Sequence, residues 1–143
     1  MNTKAKAAVL VKPGCMEIRE FDLPKPEKGA ALCKVLAVGV CGTDKHSYRG
    51  ETIQYKGTEN EIDLPFPIIQ GHEIAMEIVA IDEEGAKNLS YDGDYLKVGD
   101  RITICPDIVC GECWFCKNMP SYPWCEHLQF SYGNMRSCND GHH

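Results

Sequence analysis

Residues Ala30 to Cys41 read AALCKVLAVGVC, a run of aliphatic and β-branched side chains broken by a single lysine. It is long enough for a strand and lacks the period of an amphipathic helix. It ends on a cysteine followed by Gly42, where the chain is free to turn, and runs on into the polar GTDKH. A strand here delivers Cys41 to its tip, where a side chain projects into whatever lies beyond the sheet. Towards the N-terminus, KAAVLV (Lys6–Val11) and CMEIREF (Cys15–Phe21) flank the turn former KPG, which predicts an antiparallel pair. A proline-broken connector, LPKPEKG, then leads into the Ala30 strand. Towards the C-terminus, HEIAMEIVAI (His72–Ile81) mixes polar and apolar positions as a strand with one solvated face does. KVGDRITICP (Lys97–Pro106) reads as a turn and a third long strand, while Tyr48–Pro67 and Glu83–Leu96 read as surface loops. Strands this numerous with only short helix candidates predict a mainly β chain, a barrel or sandwich with long functional loops.

The chain has 143 residues, about one domain, and a chain of that size buries roughly 68–70% of its unfolded surface. Its composition, 43% hydrophobic and 25% charged, is that of a globular domain and excludes a disordered one. A net charge of −6 speaks against nucleic acid as a partner, because such surfaces are basic. No apolar run approaches the ~18 residues of a membrane span. The N-terminal AAVLV is too short for a signal-peptide core, so a cytoplasmic location is expected.

That compartment keeps thiols reduced, so tightly spaced cysteines there point to metal. Of nine cysteines, four fall within the sixteen residues CGECWFCKNMPSYPWC: Cys110, Cys113 and Cys116 two residues apart, then Cys125 after eight more. Two-residue spacing lets a looping backbone aim thiolates at one centre, and a fourth sulfur closes a tetrahedron around zinc. C-x2-C-x2-C also opens the bacterial iron-sulfur run, but there the fourth cysteine follows after about three residues and is trailed by proline. Here Glu126 follows Cys125, so an iron-sulfur electron carrier is the weaker reading. Cys15, Cys33, Cys105 and Cys138 lie outside any tight spacing and read as ordinary thiols.

A second constellation pairs Cys41 with His72, two of the three protein ligands that a catalytic zinc commonly takes. On residue types alone, one cysteine and one histidine make a weak signal. The motifs together say more: VGVCGTDKH, PFPIIQGHE, LKVGDRI and CGECWFC followed by Cys125 occur in this order. In this the chain resembles the zinc-dependent medium-chain dehydrogenases, the alcohol, polyol and threonine dehydrogenase group, from KAAVLVKPG to at least Tyr132.

The resemblance implies a GroES-like catalytic domain, a partly open β-barrel with irregular loops, with a four-cysteine lobe over about residues 105–128 holding a structural zinc through Cys110, Cys113, Cys116 and Cys125. It implies a catalytic zinc on Cys41 and His72, with Glu73 as a neighbouring or exchangeable carboxylate and Asp44 orienting the histidine. It implies a proton relay in which the Thr43 hydroxyl accepts the alcohol's proton and His46 passes it outward. Zinc acts as a Lewis acid on a small alcohol or polyol, and NAD or NADP receives the hydride. A homo-oligomer is expected. Lys45 and Tyr48 read as solvated loop residues. The family's G-x-G-x-x-G nucleotide fingerprint is nowhere in these residues, and the family's third catalytic ligand lies beyond CNDGHH, so the chain is expected to be the first part of a dehydrogenase. His142 and His143 have nothing to fix them as replacement ligands. Self-association or a loosened segment from about Gln129 onward is expected. The loop from Gly50 to Phe66, longer than in most members, borders the substrate cleft in the family and reads as a surface insertion ahead of a determinant of substrate size. A free-standing zinc-binding module without catalysis is the alternative.

Overall fold

A computed structural model describes residues 4–59, 61–90, 93–119 and 124–139. His142 and His143 lie outside the described residues. The chain divides into two compact units, one built on Glu20–Gly39 and Glu73–Ile104, the other on Lys6–Arg19, Val40–His72 and the chain from Cys105.

In the first unit, β3 (Ala31–Val38) and β7 (Ile74–Ile81) run antiparallel, and β8 (Arg101–Thr103) adds to the far side of β7. Both long strands are rich in Val, Ile, Leu and Ala, which fit a pleated surface. Register shifts between Leu32 and Cys33 and between Val35 and Ala37 bend β3. Ile78 at the centre of β7 is fully buried. Its N–H donates to the Asp100 carbonyl and its carbonyl accepts from Gly99 N–H, so the VGD turn is fastened to the sheet. The expected third long strand is only three residues, because the chain leaves β7 again after Thr103. Helix α2 (Glu83–Asn88) occupies part of a stretch read as loop. Its N-cap, Asp82, accepts from Gly85 N–H at 2.7 Å and from Gly29 N–H at 2.9 Å, which ties the helix to the turn before β3. These two backbone bonds hold the Asp82 carboxyl below its usual range.

In the second unit, β1 (Lys4–Lys12) carries fully buried Val9 and Leu10 and pairs antiparallel with β6 (Ile68–Ile69) on one side and with β2 (Cys15–Asp22) on the other. Leu10, Leu64 and Ile68, with Phe66 against them, form the core cluster. Each fully buried aliphatic side chain here contributes about 1.5–3 kcal/mol. The stretch read as a surface loop folds into a hairpin of β4 (Ile53–Gln54) and β5 (Ile62–Asp63). Helix α1 (Gly42–Arg49) stands where a bare turn was expected, ended by Gly50 with φ of 94°. Tyr48, read as a solvated loop residue, fastens α1 to the β1–β2 turn: Gly14 N–H donates to its carbonyl and its hydroxyl donates back to the Gly14 carbonyl. Lys45 is exposed.

Helix α3 (Trp114–Asn118) and the pair β9 (Asp107–Ile108) and β10 (Phe130–Ser131) complete the unit. From Gln129 to Cys138 the backbone is hydrogen-bonded to earlier segments. Gln129 N–H donates to Ile108, Tyr132 to Pro106 and Cys138 to Pro67, and Ser131, Ser137 and Cys138 are buried. Among the described residues the fold is mostly strand with three short helices, and its sheets, of two or three strands each, are open. No helix among them is long and apolar enough to cross a membrane.

Candidate functional site

Two clusters of metal-ligating side chains stand out, and each is built on a cysteine that caps a helix. At the first, Cys41 precedes α1 in extended conformation, and its Sγ accepts the Thr43 N–H at 3.3 Å. Asp44 reaches back so that its Oδ2 accepts Cys41 N–H at 2.9 Å, the reciprocal half of a capping box. This locks both side chains against the first turn. His72 arrives from the other end of the segment, and its Nε2 lies 3.1 Å from Cys41 Sγ. Two ligands of one zinc, with Zn–S near 2.3 Å and Zn–N near 2.0 Å, sit on the order of 3.5 Å apart, so sulfur and nitrogen are within bonding reach of one ion. The other ring nitrogen, Nδ1, is buried without a hydrogen-bond partner and faces Asp44 Oδ1 at 3.9 Å. Asp44 itself is 8% exposed. Nε2 is thus the ring nitrogen beside Cys41 Sγ and Nδ1 the one beside the Asp44 carboxylate, the side on which metal-bound histidines commonly have a carboxylate.

Glu73 does not join this set of converging donors. Its side chain lies over Gly39, whose N–H donates to the Glu73 carbonyl at 2.7 Å, and a methyl group on Gly39 would collide with the carboxylate.

At the second cluster, Cys113 caps α3 and its Sγ accepts from Cys116 N–H. Cys113 Sγ and Cys116 Sγ are 3.4 Å apart, Cys110 Sγ and Cys116 Sγ 3.9 Å, and the sulfurs of all four cysteines, Cys125 included, lie within 4.8 Å of one another. Four sulfurs on one tetrahedral zinc sit about 3.8 Å apart, whereas a disulfide needs about 2.05 Å. All nine cysteines are free thiols. The spacing suits a single ion; an iron-sulfur cluster, with each cysteine on a different iron, would spread the sulfurs wider. Backbone N–H groups surround the sulfurs: Glu112 and Cys113 donate to Cys110, while Cys110 and His127 donate to Cys125. Hydrogen bonds to the charged form favour the thiolate. The N–H groups of Cys116 and Glu126 bring the Cys113 thiol down to about 6, and those of Glu112 and Cys113 lower Cys110. Burial, then the neighbouring Cys113 sulfur, pushes Cys116 up to about 12. Of the remaining cysteines, Cys138 is buried, Cys105 exposed, and burial raises the Cys33 thiol.

Thr43 and His46 line a cleft of about 380 Å³ together with Glu51, Gln54, Tyr55 and Asn134. Thr43 joins the two places, since its N–H is on Cys41 Sγ and the residue lines the cleft. His46 Nδ1 pairs with Glu51 Oε2 at 2.5 Å, and both side chains are more than half exposed.

Glu51, Gln54, Gly133 and Asn134 are residues that motif reading passes over. Gly133, with φ of 83°, packs directly onto the backbone of Gly71, leaving no space for a side chain. The turn that carries Asn134 is therefore wedged against the residue before His72. The only sequence signal was the two glycines, which are far apart in the chain.

The family model described as the alcohol dehydrogenase GroES-like domain matches residues 27–138. Among curated proteins, L-threonine 3-dehydrogenase of Thermococcus kodakarensis is 38% identical over 120 residues, covering 82% of this chain and 30% of the relative. Sorbitol dehydrogenase of Bacillus subtilis is 35% identical over 125 residues, covering 87% and 31%. Among solved structures, an alcohol dehydrogenase from Thermotoga maritima superposes with a TM-score of 0.75 at 36% identity, covering 96% of this chain and 34% of that one. The chain thus spans about a third of the length of the proteins it matches.

Proposed function

Because the chain belongs to the alcohol dehydrogenase GroES-like domain family, we propose that it is the metal-binding catalytic portion of a zinc-dependent alcohol or polyol dehydrogenase, one that passes hydride from the alcohol carbon to NAD or NADP. The observation that carries this reading is the approach of Cys41 Sγ to His72 Nε2, with Asp44 behind the ring. In this reading residues 1–143 form one GroES-like domain, and Cys110, Cys113, Cys116 and Cys125 hold a structural zinc. Cys41 and His72 hold a catalytic one, and Glu73, next in the chain, is an exchangeable carboxylate beyond the converging donors. When bound there, zinc supplies Lewis acidity that lowers the alcohol's pKa towards neutrality.

The chain's own residues do the rest. The capping box fixes Cys41 Sγ against α1, and the buried Asp44 carboxylate lies beside His72 Nδ1, leaving Nε2 on the Cys41 side. Thr43, one residue beyond Gly42, offers its hydroxyl as the first proton acceptor, and His46 takes the proton on at the mouth of the cleft. The Glu51 carboxylate holds the His46 ring in place through Nδ1. Nine unpaired cysteines suit a reducing, cytoplasmic compartment. Assembly into a homo-oligomer belongs to the same reading.

Cobalt(II) loading tests it. Cobalt in the four-sulfur lobe and cobalt on Cys41 and His72 give distinct visible bands, and added ethanol or sorbitol is expected to shift only the second set. Cys41→Ser is expected to abolish that set and its response. Bands from Cys41 and His72 that ignore every alcohol would favour a zinc-binding module without catalysis.

A further inference from the structure

The four-cysteine lobe carries both of the chain's tryptophans, Trp114 and Trp124, and leaves them 60% and 59% exposed. Each stands next to a cluster cysteine, Trp114 after Cys113 and Trp124 before Cys125. Val109, beside Cys110, and Met119, which caps α3, are exposed as well. Zinc asks only for the sulfurs, so the metal explains none of these side chains. Two indoles exposed to this degree present on the order of 250 Å² of ring. With Val109 and Met119 the lobe reaches the ~300–600 Å² of apolar surface at which patches on folded chains are often functional. Trp114 is also held ready. The Phe115 ring meets it edge-on at 5.2 Å, and Asn118 Nδ2 donates to its carbonyl at 2.8 Å. An anchor already fixed loses little freedom on docking.

We propose that this lobe is a docking surface for a second copy of the chain, with Trp114 as its anchor. The inference gives a surface to the homo-oligomer of the proposed function and rests on the reading of the four cysteines as one folded lobe. The charges around Trp114 say which partner fits. Glu112 lies two residues before it and Lys117 three after, both exposed and neither in an ion pair among the described residues. A surface bearing one charge of each sign complements itself: about a two-fold axis, Lys117 of each copy meets Glu112 of the other. A wholly basic partner would leave Lys117 facing a like charge, and an acidic peptide or anionic lipid would do the same to Glu112.

Aromatic residues and methionine are enriched at such contacts, and charged residues are left to the rim. Glu126, exposed beside Cys125, belongs to that rim. The patch is smaller than the ~800 Å² per partner of a standard interface, so the dimer is expected to form in the micromolar range.

Sedimentation of the zinc-loaded chain across that range tests this, with tryptophan emission recorded at each concentration. Because both tryptophans are in the lobe, emission reports that surface alone. Monomer and dimer are expected to exchange, with the emission maximum moving to shorter wavelength as the dimer fills. Trp114→Ser is expected to weaken association about thirtyfold. Glu112→Lys and Lys117→Glu should each weaken it about tenfold, and the double exchange should restore it, which a merely structural role would not do. A monomer at every concentration, or a dimer indifferent to Trp114→Ser and to both charge reversals, would overturn the proposal. So would an emission shift that needs anionic vesicles, which would assign the patch to a lipid surface. Cobalt bands of the four-sulfur lobe are followed in every variant. If they form and the chain stays monomeric, the docking surface fails and the dehydrogenase reading stands. If they do not form in the wild-type chain, the reading of the four cysteines fails and the docking surface with it. Should Trp114→Ser lose the bands, the charge exchange decides.

Discussion

The two metal-ligating clusters begin alike and end differently. Cys41 and Cys113 each cap a short helix and accept a backbone N–H on sulfur. From there the Cys113 cluster closes within sixteen residues on four sulfurs ringed by N–H donors, whereas Cys41 meets a histidine 31 positions away, backed by a buried carboxylate. The first arrangement saturates a tetrahedral ion and leaves nothing for a substrate. The second brings together one sulfur and one ring nitrogen, fewer than the four donors of a closed tetrahedral ion. Local closure makes a stable site, and long-range closure makes an open one.

The sharpest way to break this contrast is to remove metal from the four-cysteine lobe. Structural zinc supplies roughly 10–16 kcal/mol of apparent binding energy in small lobes, so chelation or Cys113→Ser is expected to erase amide protection at Glu112, Cys116 and His127. The β3–β7 pair should keep its protection, since it belongs to the other compact unit and Ile78 is fully buried there. Loss of protection in both together would show that the lobe is not the separately closed unit described.

Gly133→Ala should act on the other cluster. A Cβ there meets the Gly71 backbone, and the left-handed φ adds strain, for a cost of about 2–3 kcal/mol. Unfolding in urea should report that loss, and metal affinity at Cys41 and His72 should fall while the lobe keeps its zinc.

Asp44→Asn retains much of the cap but removes the charge behind His72. It is expected to weaken metal binding there by about 10–100-fold, as for other partners of histidine ligands. An unchanged affinity in a cobalt titration would remove Asp44 from that role.

The lobe's thiols also make loading pH-dependent. With Cys113 brought to about 6 and Cys116 pushed up to about 12, the free lobe at neutral pH holds one thiolate and one firmly protonated thiol, and metal must displace that proton. Apparent zinc affinity should therefore rise from pH 6 to pH 8, with proton release measurable by calorimetry in buffers of different ionisation enthalpy.

The smallest effect is expected at Asp82, away from both clusters. The Gly85 and Gly29 N–H groups hold its carboxyl below the usual aspartate range in the folded chain, so its stabilisation is present above about pH 4, the unfolded value, and is lost as pH falls through the folded one. Asp82→Asn should flatten the acid limb of the stability curve without changing metal binding.

What could be read from the sequence follows the same division. The four-cysteine spacing, Cys41, His72 and the strands β1, β2, β3 and β7 all declare themselves in residue type and short-range pattern. Helix α1 does not, because cysteine is an uncommon N-cap and the residues it buries, Asp44 and Ser47, are polar, which removes the apolar stripe that marks a helix. The β4–β5 hairpin is two residues a side and carries no period. Gln54, Gly133 and Asn134 owe their place to contacts between distant segments, which no local pattern encodes. Glu51 became visible only once α1 was a helix closed by Gly50, which brings it back onto His46.

The central claim is that the chain holds two metal sites of different kinds, and a competitive zinc titration of the metal-free protein tests it most directly. Two steps are predicted: a tight one abolished by Cys113→Ser and untouched by Cys41→Ser, and a weaker one with the opposite pattern. A single step, or a second one that survives Cys41→Ser and the loss of His72, would contradict it.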